Sequence, residues 1–149
     1  MKAVAVFKGG KVKGHVLFIQ NKTSVTVQVH LDGIRPGKQG FHIHEYGDIR
    51  DCKSAGGHYN PHGTKHGGRH AKERHAGDLG NVTADGRGRV RIKFYDKGFK
   101  VSEVVGRSLI VHAMRDDLGL GGNPESKKTG NAGRRVACAV IGLAGPTSR

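Results

Sequence analysis

Tryptophan is absent from this 149-residue chain, and aromatic residues together make up 5% of it. A core built from this composition has to be aliphatic. No apolar run approaches the roughly 18 residues of a membrane-spanning helix, which excludes that class. The apolar stretch within Met1–Lys8 is shorter than the apolar segment of about 7–15 residues in a secretory signal, so the expected location is the cytoplasm. Acidic residues are scarce: 12 Asp and Glu face 26 Lys and Arg, for a net charge of +14. Such an excess attracts anions, whether small ions, nucleic acid or an anionic surface, or serves solubility alone. Glycine is plentiful at 25 residues, but it has no three-residue period, which excludes collagen. There are two cysteines, Cys52 and Cys138, far apart in the chain. Reduced thiols are the default in a cytoplasmic protein. A bridge closing so long a loop would stabilise by roughly 4–5 kcal/mol. Spacing leaves both states open.

What is present is a series of short strand patterns. Residues 3–7 and 14–20 are rich in β-formers. Residues 24–31 alternate, with Val25, Val27, Val29 and Leu31 on one face, the mark of a half-buried strand. Arg35-Pro36-Gly37-Lys38 reads as a turn before a strand over 40–46. Further strands are expected over 79–84, 89–95, 104–113 and 136–143. In 89–95, Val90, Ile92 and Phe94 are expected inside; Arg87, Arg89, Arg91 and Lys93 form a basic stripe outside, as a solvated face or a phosphate-binding ridge. No helix pattern of useful length occurs. Eight short strands with glycine-rich turns predict one all-β domain over 1–149, a sandwich or barrel. Two segments, 47–78 and 114–135, are irregular, and loops this long are usually functional.

The first irregular segment, with the strand before it, carries the chemistry. His42-Ile43-His44 lies on a strand, so both imidazoles point to one face. His58, His66, His75 and Asp78 follow, with His62 and His70 interleaved, and His112 ends a later strand. Three imidazoles and a carboxylate suit tetrahedral zinc with no place left for water. Four imidazoles suit Cu(II), which prefers tetragonal nitrogen coordination.

Two longer motifs frame these residues. Gly40-Phe41-His42-Ile43-His44-Glu45-Tyr46-Gly47-Asp48 resembles the first signature of the copper/zinc superoxide dismutase family, and Gly133-Arg134-Arg135-Val136-Ala137-Cys138-Ala139-Val140-Ile141-Gly142 resembles the second. His58-Tyr59-Asn60-Pro61, Lys65-His66-Gly67-Gly68 and the run Glu73–Asp85 stand between them, so the resemblance covers essentially the whole chain.

The resemblance implies an eight-stranded Greek-key β-barrel, an immunoglobulin-like sandwich in architecture, with two long functional loops. It implies one copper and one zinc per chain: copper on His42, His44, His58 and His112, zinc on His58, His66, His75 and Asp78, with His58 bridging. It makes Cys52–Cys138 an intrasubunit disulfide, Asp116 a carboxylate that orients one histidine of each metal, and Arg135 the arginine beside the copper. Lys128 and Thr129 match the rim of the substrate channel, while Arg134 has no counterpart role. The implied reaction is disproportionation of superoxide into dioxygen and hydrogen peroxide, with His58 passing a proton. Val4, Val6, Val105, Gly106, Ile141 and Gly142 match the apolar dimer surface of eukaryotic relatives, which favours a homodimer. A copper chaperone is the candidate loading partner, and the basic surface a candidate for non-specific polyanion or nucleic-acid association.

Two departures stand out. Relatives are often acidic, and they commonly carry a glutamate pair where this chain has Pro124-Glu125. With Lys127 added, the channel is expected to be more uniformly positive. Two rival readings are a metal-binding domain without turnover and a basic nucleic-acid packaging protein. No P-loop is present, because Ser126-Lys127-Lys128-Thr129 lacks the glycine before lysine.

Overall fold

The computed structural model describes residues 1–146. Eight antiparallel strands follow in chain order: β1 (Lys2–Phe7), β2 (Lys13–Gln20), β3 (Val25–Asp32), β4 (Gly37–His44), β5 (Asp78–Ala84), β6 (Val90–Asp96), β7 (Ser108–His112) and β8 (Arg135–Leu143). Their spatial order is β5-β4-β7-β8-β1-β2-β3-β6. The chain crosses between the two halves after β3, after β5 and again after β6, the Greek-key pattern expected. β5 and β6 also touch, so the barrel is nearly closed and few backbone groups remain at an edge.

The β3 alternation appears as predicted, with Val25, Val27, Val29 and Leu31 all at most 3% exposed. They join Val16, Phe18, Phe41 and Ile43 in an aliphatic core with few rings. The expected strand 104–113 is shorter. A four-residue helix, Val101–Val104, precedes it and buries Val101 and Val104, and pairing begins only at Ser108. Val104 and Val105, at the end of a single helical turn, therefore imitate strand, because a short apolar run has no period to separate the two. The turn at Arg35–Lys38 is also shorter than expected, since Gly37 and Lys38 already pair with β5.

The basic stripe does not lie on one strand face. Arg87 and Arg89 sit in the β5–β6 turn, where Asp85 accepts from both backbone amides and from the Arg89 side chain. Only Arg91 and Lys93 belong to β6, and Ile92, expected inside, is 37% exposed. No helix among the described residues is long and apolar enough to cross a membrane.

Two long connections, β4 to β5 and β7 to β8, fold back over one side of the barrel. They carry two 3-10 turns, Cys52–Ala55 and Pro124–Lys127. The disulfide Cys52–Cys138 ties the first of these turns to β8.

Candidate metal centre

β4 shows how the barrel presents the site. Phe41 and Ile43 point into the core, so His42 and His44 must point outward. They are nevertheless buried, at 0% and 1% exposure, because the two long connections cover that face. The β4–β5 register shifts between Gly40 and His42, and the β7–β8 register shifts between Val111 and His112. Bulges bend a strand and re-aim its side chains. Here both occur beside a histidine that faces the same point.

His42, His44, His58 and His112 each bring one nitrogen into a single cluster. The second nitrogen of three of them is fixed. His44 Nδ1 donates to Gly56 O at 2.9 Å, His112 Nδ1 donates to Gly133 O at 3.1 Å, and His42 Nε2 donates to Asp116 Oδ2 at 2.6 Å. A carbonyl or ionised carboxylate can only accept, so these contacts set the tautomers. What remains for a ligand is Nε2 of His44 and His112, 3.2 Å apart, and Nδ1 of His42. His42 Nδ1 and His58 Nε2 are buried without any hydrogen-bond partner. Orphaned buried nitrogens are costly unless something binds them. A metal ion bound among these nitrogens would supply that partner.

The other nitrogen of His58 looks the opposite way. His58 Nδ1 lies 2.9 Å from Asp78 Oδ1, His66 Nδ1 lies 3.0 Å from it and His75 Nδ1 3.2 Å. Donors on one tetrahedral zinc, bound at about 2.0–2.1 Å, stand about 3.3 Å apart. His66 Nδ1 is close to Asp78 yet makes no aligned hydrogen bond. Both atoms point instead at a shared centre. A second converging group of four is His42, His58, His66 and Asp78. His42 is present there by proximity to the bridge, since its Nε2 is committed to Asp116, whereas His75 touches Asp78 directly. Asp78 Oδ2 accepts from the backbone amides of Gly67 (3.1 Å) and His75 (2.8 Å), which leaves Oδ1 facing the imidazoles.

Asp116 joins the two clusters. It is fully buried, its Oδ2 takes His42 Nε2–H and its Oδ1 takes His66 Nε2–H at 2.8 Å. Gly130 packs against this carboxylate, and a β-carbon there would overlap Asp116 Oδ1 and His66 Nε2.

Burial and this network separate the imidazoles electrically. Burial, reinforced by His58, holds His42 down to about 3. Burial lowers His112 to about 4, only partly offset by its bond to Gly133. His44 lies well below its ordinary value for the same first cause, and burial also lowers His58. His66 is the exception: burial lowers it, but its hydrogen bond to Asp116 and the close negative charge of Asp78 outweigh this and raise it to about 9. Burial opposes ionisation of Asp78 and Asp116, yet their histidine partners hold both carboxyls well below the usual range. Neutral imidazoles and ionised carboxylates are the forms that ligate metals.

A cleft of about 340 Å³ opens onto the first cluster, with His44, His58 and His112 on its floor and Lys128, Thr129 and Arg135 on its walls. Arg135 is held by Cys52 O, to which its Nη1 donates at 2.8 Å, so the disulfide-tethered turn positions the guanidinium. Thr129 Oγ1 donates to Glu125 Oε2 at 2.7 Å, and Glu125 also lines the cleft. Lys127, expected to add positive charge here, is not among the cleft residues.

His62 and His70 are exposed and stand apart from both clusters. Asn81 is a site residue that the sequence pattern did not reveal, since its motif reads as a glycosylation sequon. Its amide holds the Asp116 backbone from β5. Asp117 is another: its carboxylate accepts from Ser126 Oγ, Asn131 Nδ2 and the Gly119 amide, organising the β7–β8 connection.

Residues 12–141 match the family described as copper/zinc superoxide dismutase. A Cu-Zn superoxide dismutase of Paramecium bursaria Chlorella virus 1 is 51% identical over 149 residues, covering 97% of this chain and 79% of that protein. One from Neurospora crassa is 50% identical over 151 residues, covering 96% and 98%. A copper chaperone for superoxide dismutase from Mus musculus is 48% identical over 142 residues, and the match covers 93% of this chain but 52% of the chaperone. The buried histidine and aspartate clusters agree with a copper site and a zinc site, and the chain belongs to the copper/zinc superoxide dismutase family.

Proposed function

We propose that the chain disproportionates superoxide into dioxygen and hydrogen peroxide, with copper on His42, His44, His58 and His112 and zinc on His58, His66, His75 and Asp78. One observation carries this reading. His58 stands between the two donor sets, with Nδ1 at Asp78 and Nε2 free toward the histidine cluster. When bound, copper supplies one-electron oxidation and reduction, and zinc supplies a fixed charge at the far nitrogen of His58.

The chain's own residues do the remaining work. Arg135, held at one end by Cys52 O, keeps its other N–H groups for a small anion in the cleft. His58 holds a proton at Nε2 and delivers it to reduced substrate, with Nδ1 anchoring the ring. Asp116 orients His42 and His66 through their Nε2 atoms. Lys128 at the cleft wall attracts superoxide, and Thr129 shapes the entrance.

A metal-binding role without turnover is the second reading, supported by the chaperone relatives, of which this chain spans about half the length. The substrate cleft with its anchored arginine favours turnover, since carrying a metal does not need that arginine. Metal analysis with superoxide turnover decides between them. The dismutase reading requires about one copper and one zinc per chain and activity abolished by His112→Ala. Full metal content without turnover would sink it.

The same reading takes residues 1–149 as one domain, supported by a single connected core. It includes a homodimer, through the exposed Val6 and Gly106 and the half-buried Val4, Val105 and Gly142. Ile141, expected on this face, is fully buried in the core and cannot contribute, whereas Leu143 on the same strand is 68% exposed. Sedimentation at micromolar concentration tests the dimer. A cytoplasmic location is supported by the lack of any membrane-length apolar run and is tested by fractionation. A copper chaperone as loading partner is supported by the kinship with such proteins and is tested by pull-down of the metal-free chain. Weak polyanion association is supported by the row of half-buried His15 and exposed His30, Arg91 and Lys93 on β2, β3 and β6, and is tested by salt elution from heparin.

A further inference from the structure

The cleft above the histidines is not the only opening among the described residues. A second opening of about 680 Å³ lies at the end of the barrel, within the size range of small-molecule sites. Its apolar wall is formed by Val12, Ile34, Pro36, Val111 and Val136. Four cations, Lys11, Arg35, Arg87 and Arg134, line it as well, and no carboxylate side chain does. All four are exposed, and none makes an ion pair among the described residues. Arg35 is anchored: its Nη2 donates to Ala113 O at 2.7 Å, which fixes one edge of the guanidinium and leaves the other free.

The decisive group is Gln39. It lines this cleft, it is 2% exposed, and neither its Nε2 nor its Oε1 has a hydrogen-bond partner. A buried primary amide with both ends unpaired costs free energy that a ligand can recover. It asks for an acceptor and a donor side by side. The apolar wall asks for a compact hydrophobic body, and the ring of cations asks for an anionic end. A purine nucleotide has all three: Gln pairs through two hydrogen bonds with the N6–H donor and N7 acceptor of adenine, the base fills an apolar slot, and the phosphate meets the arginines.

We propose that this cleft binds a purine nucleotide, with Gln39 reading the base edge and Arg35, Arg87 and Arg134 holding the phosphate. The site is separate from the metal cleft but shares His112 with it, since that residue lines both openings.

The test uses the metal-loaded protein in its reduced, diamagnetic state. Calorimetry measures adenosine monophosphate, adenosine and inorganic phosphate, and NMR follows the Gln39 side-chain amide. Adenosine monophosphate should bind more tightly than either fragment and shift the Gln39 amide signals. Gln39→Leu should weaken binding about tenfold, as loss of the two hydrogen bonds implies. Arg87→Ser with Arg134→Ser, surface changes that leave the core intact, should weaken adenosine monophosphate about tenfold and adenosine little. The proposal fails if the nucleotide binds no better than inorganic phosphate, if the Gln39 signals stay in place, or if both variants bind it like the parent protein.

Discussion

Asn81 and Asp116 exchange a reciprocal pair of hydrogen bonds: Asn81 Nδ2 donates to Asp116 O at 3.0 Å, and the Asp116 amide donates to Asn81 Oδ1 at 2.7 Å. The pair clamps the β7–β8 connection to β5 at the residue whose carboxylate orients a histidine of each cluster. Asn81→Ala should free Asp116 and lower zinc affinity, with Asp116→Ala lowering it further, by about 10–100-fold as for other partners behind metal ligands. Competition with a chromophoric chelator measures this. Equal zinc retention in both variants and the parent would show that Asp116 has no orienting role.

The metal-free protein should lose stability as pH falls from about 6.5 toward 4. Burial depresses His42, His44, His58 and His112, whose ordinary value is 6.5, so the unfolded chain takes up protons in this range that the folded chain refuses. His66 acts in the opposite sense: it is raised to about 9, so its contribution is present below 6.5 and fades as pH rises through 9. Four depressed groups outweigh one raised group. Below about pH 4, the depressed carboxyls of Asp78 and Asp116 extend the loss. Urea midpoints of the metal-free chain at pH 7.5, 5.5 and 4.5 should fall in that order, and a flat or rising series would contradict the burial argument.

Turnover should fall as salt rises, because Lys128 and Arg135 line the cleft and the whole chain carries +14. Lys128→Glu should reduce kcat/KM about tenfold at low ionic strength and flatten the salt dependence. Stopped-flow superoxide decay between low and physiological salt gives both quantities. A rate indifferent to salt in the parent protein would remove steering from the mechanism.

Replacing Cys52 and Cys138 together with serine should lower stability by up to about 4–5 kcal/mol by loop-closure entropy. It should also reduce activity, because the disulfide holds the turn whose Cys52 carbonyl anchors Arg135. Urea denaturation of the metal-loaded pair reads the first effect. Arg135 displacement shows in the inhibition constant of small anions. Unchanged inhibitor binding would separate the disulfide from the arginine.

Much of this protein was readable along the chain. The β3 alternation placed Val25–Leu31 correctly because a strand with one buried face imposes period two. His42 and His44 share a face for the same reason. Failures came where no local period exists: residues 104–107 read as strand although the chain turns there, and Arg89 reads as the start of a strand that begins one residue later. The ligand sets were legible through family motifs rather than through spacing, since nothing local brings His112 to His44.

The sequence by itself determined an aliphatic all-β domain, two long irregular connections and a stock of imidazoles and carboxylates among them, because these follow from composition and local periodicity. Only the tertiary structure decided which nitrogen of each histidine is free, that His58 faces both clusters, that Asn81 holds Asp116, and that Gln39 lies buried and unpaired at the other opening. Those outcomes depend on atoms brought within about 3 Å across the fold, and hydrogen-bond geometry at that scale is set by packing of distant segments.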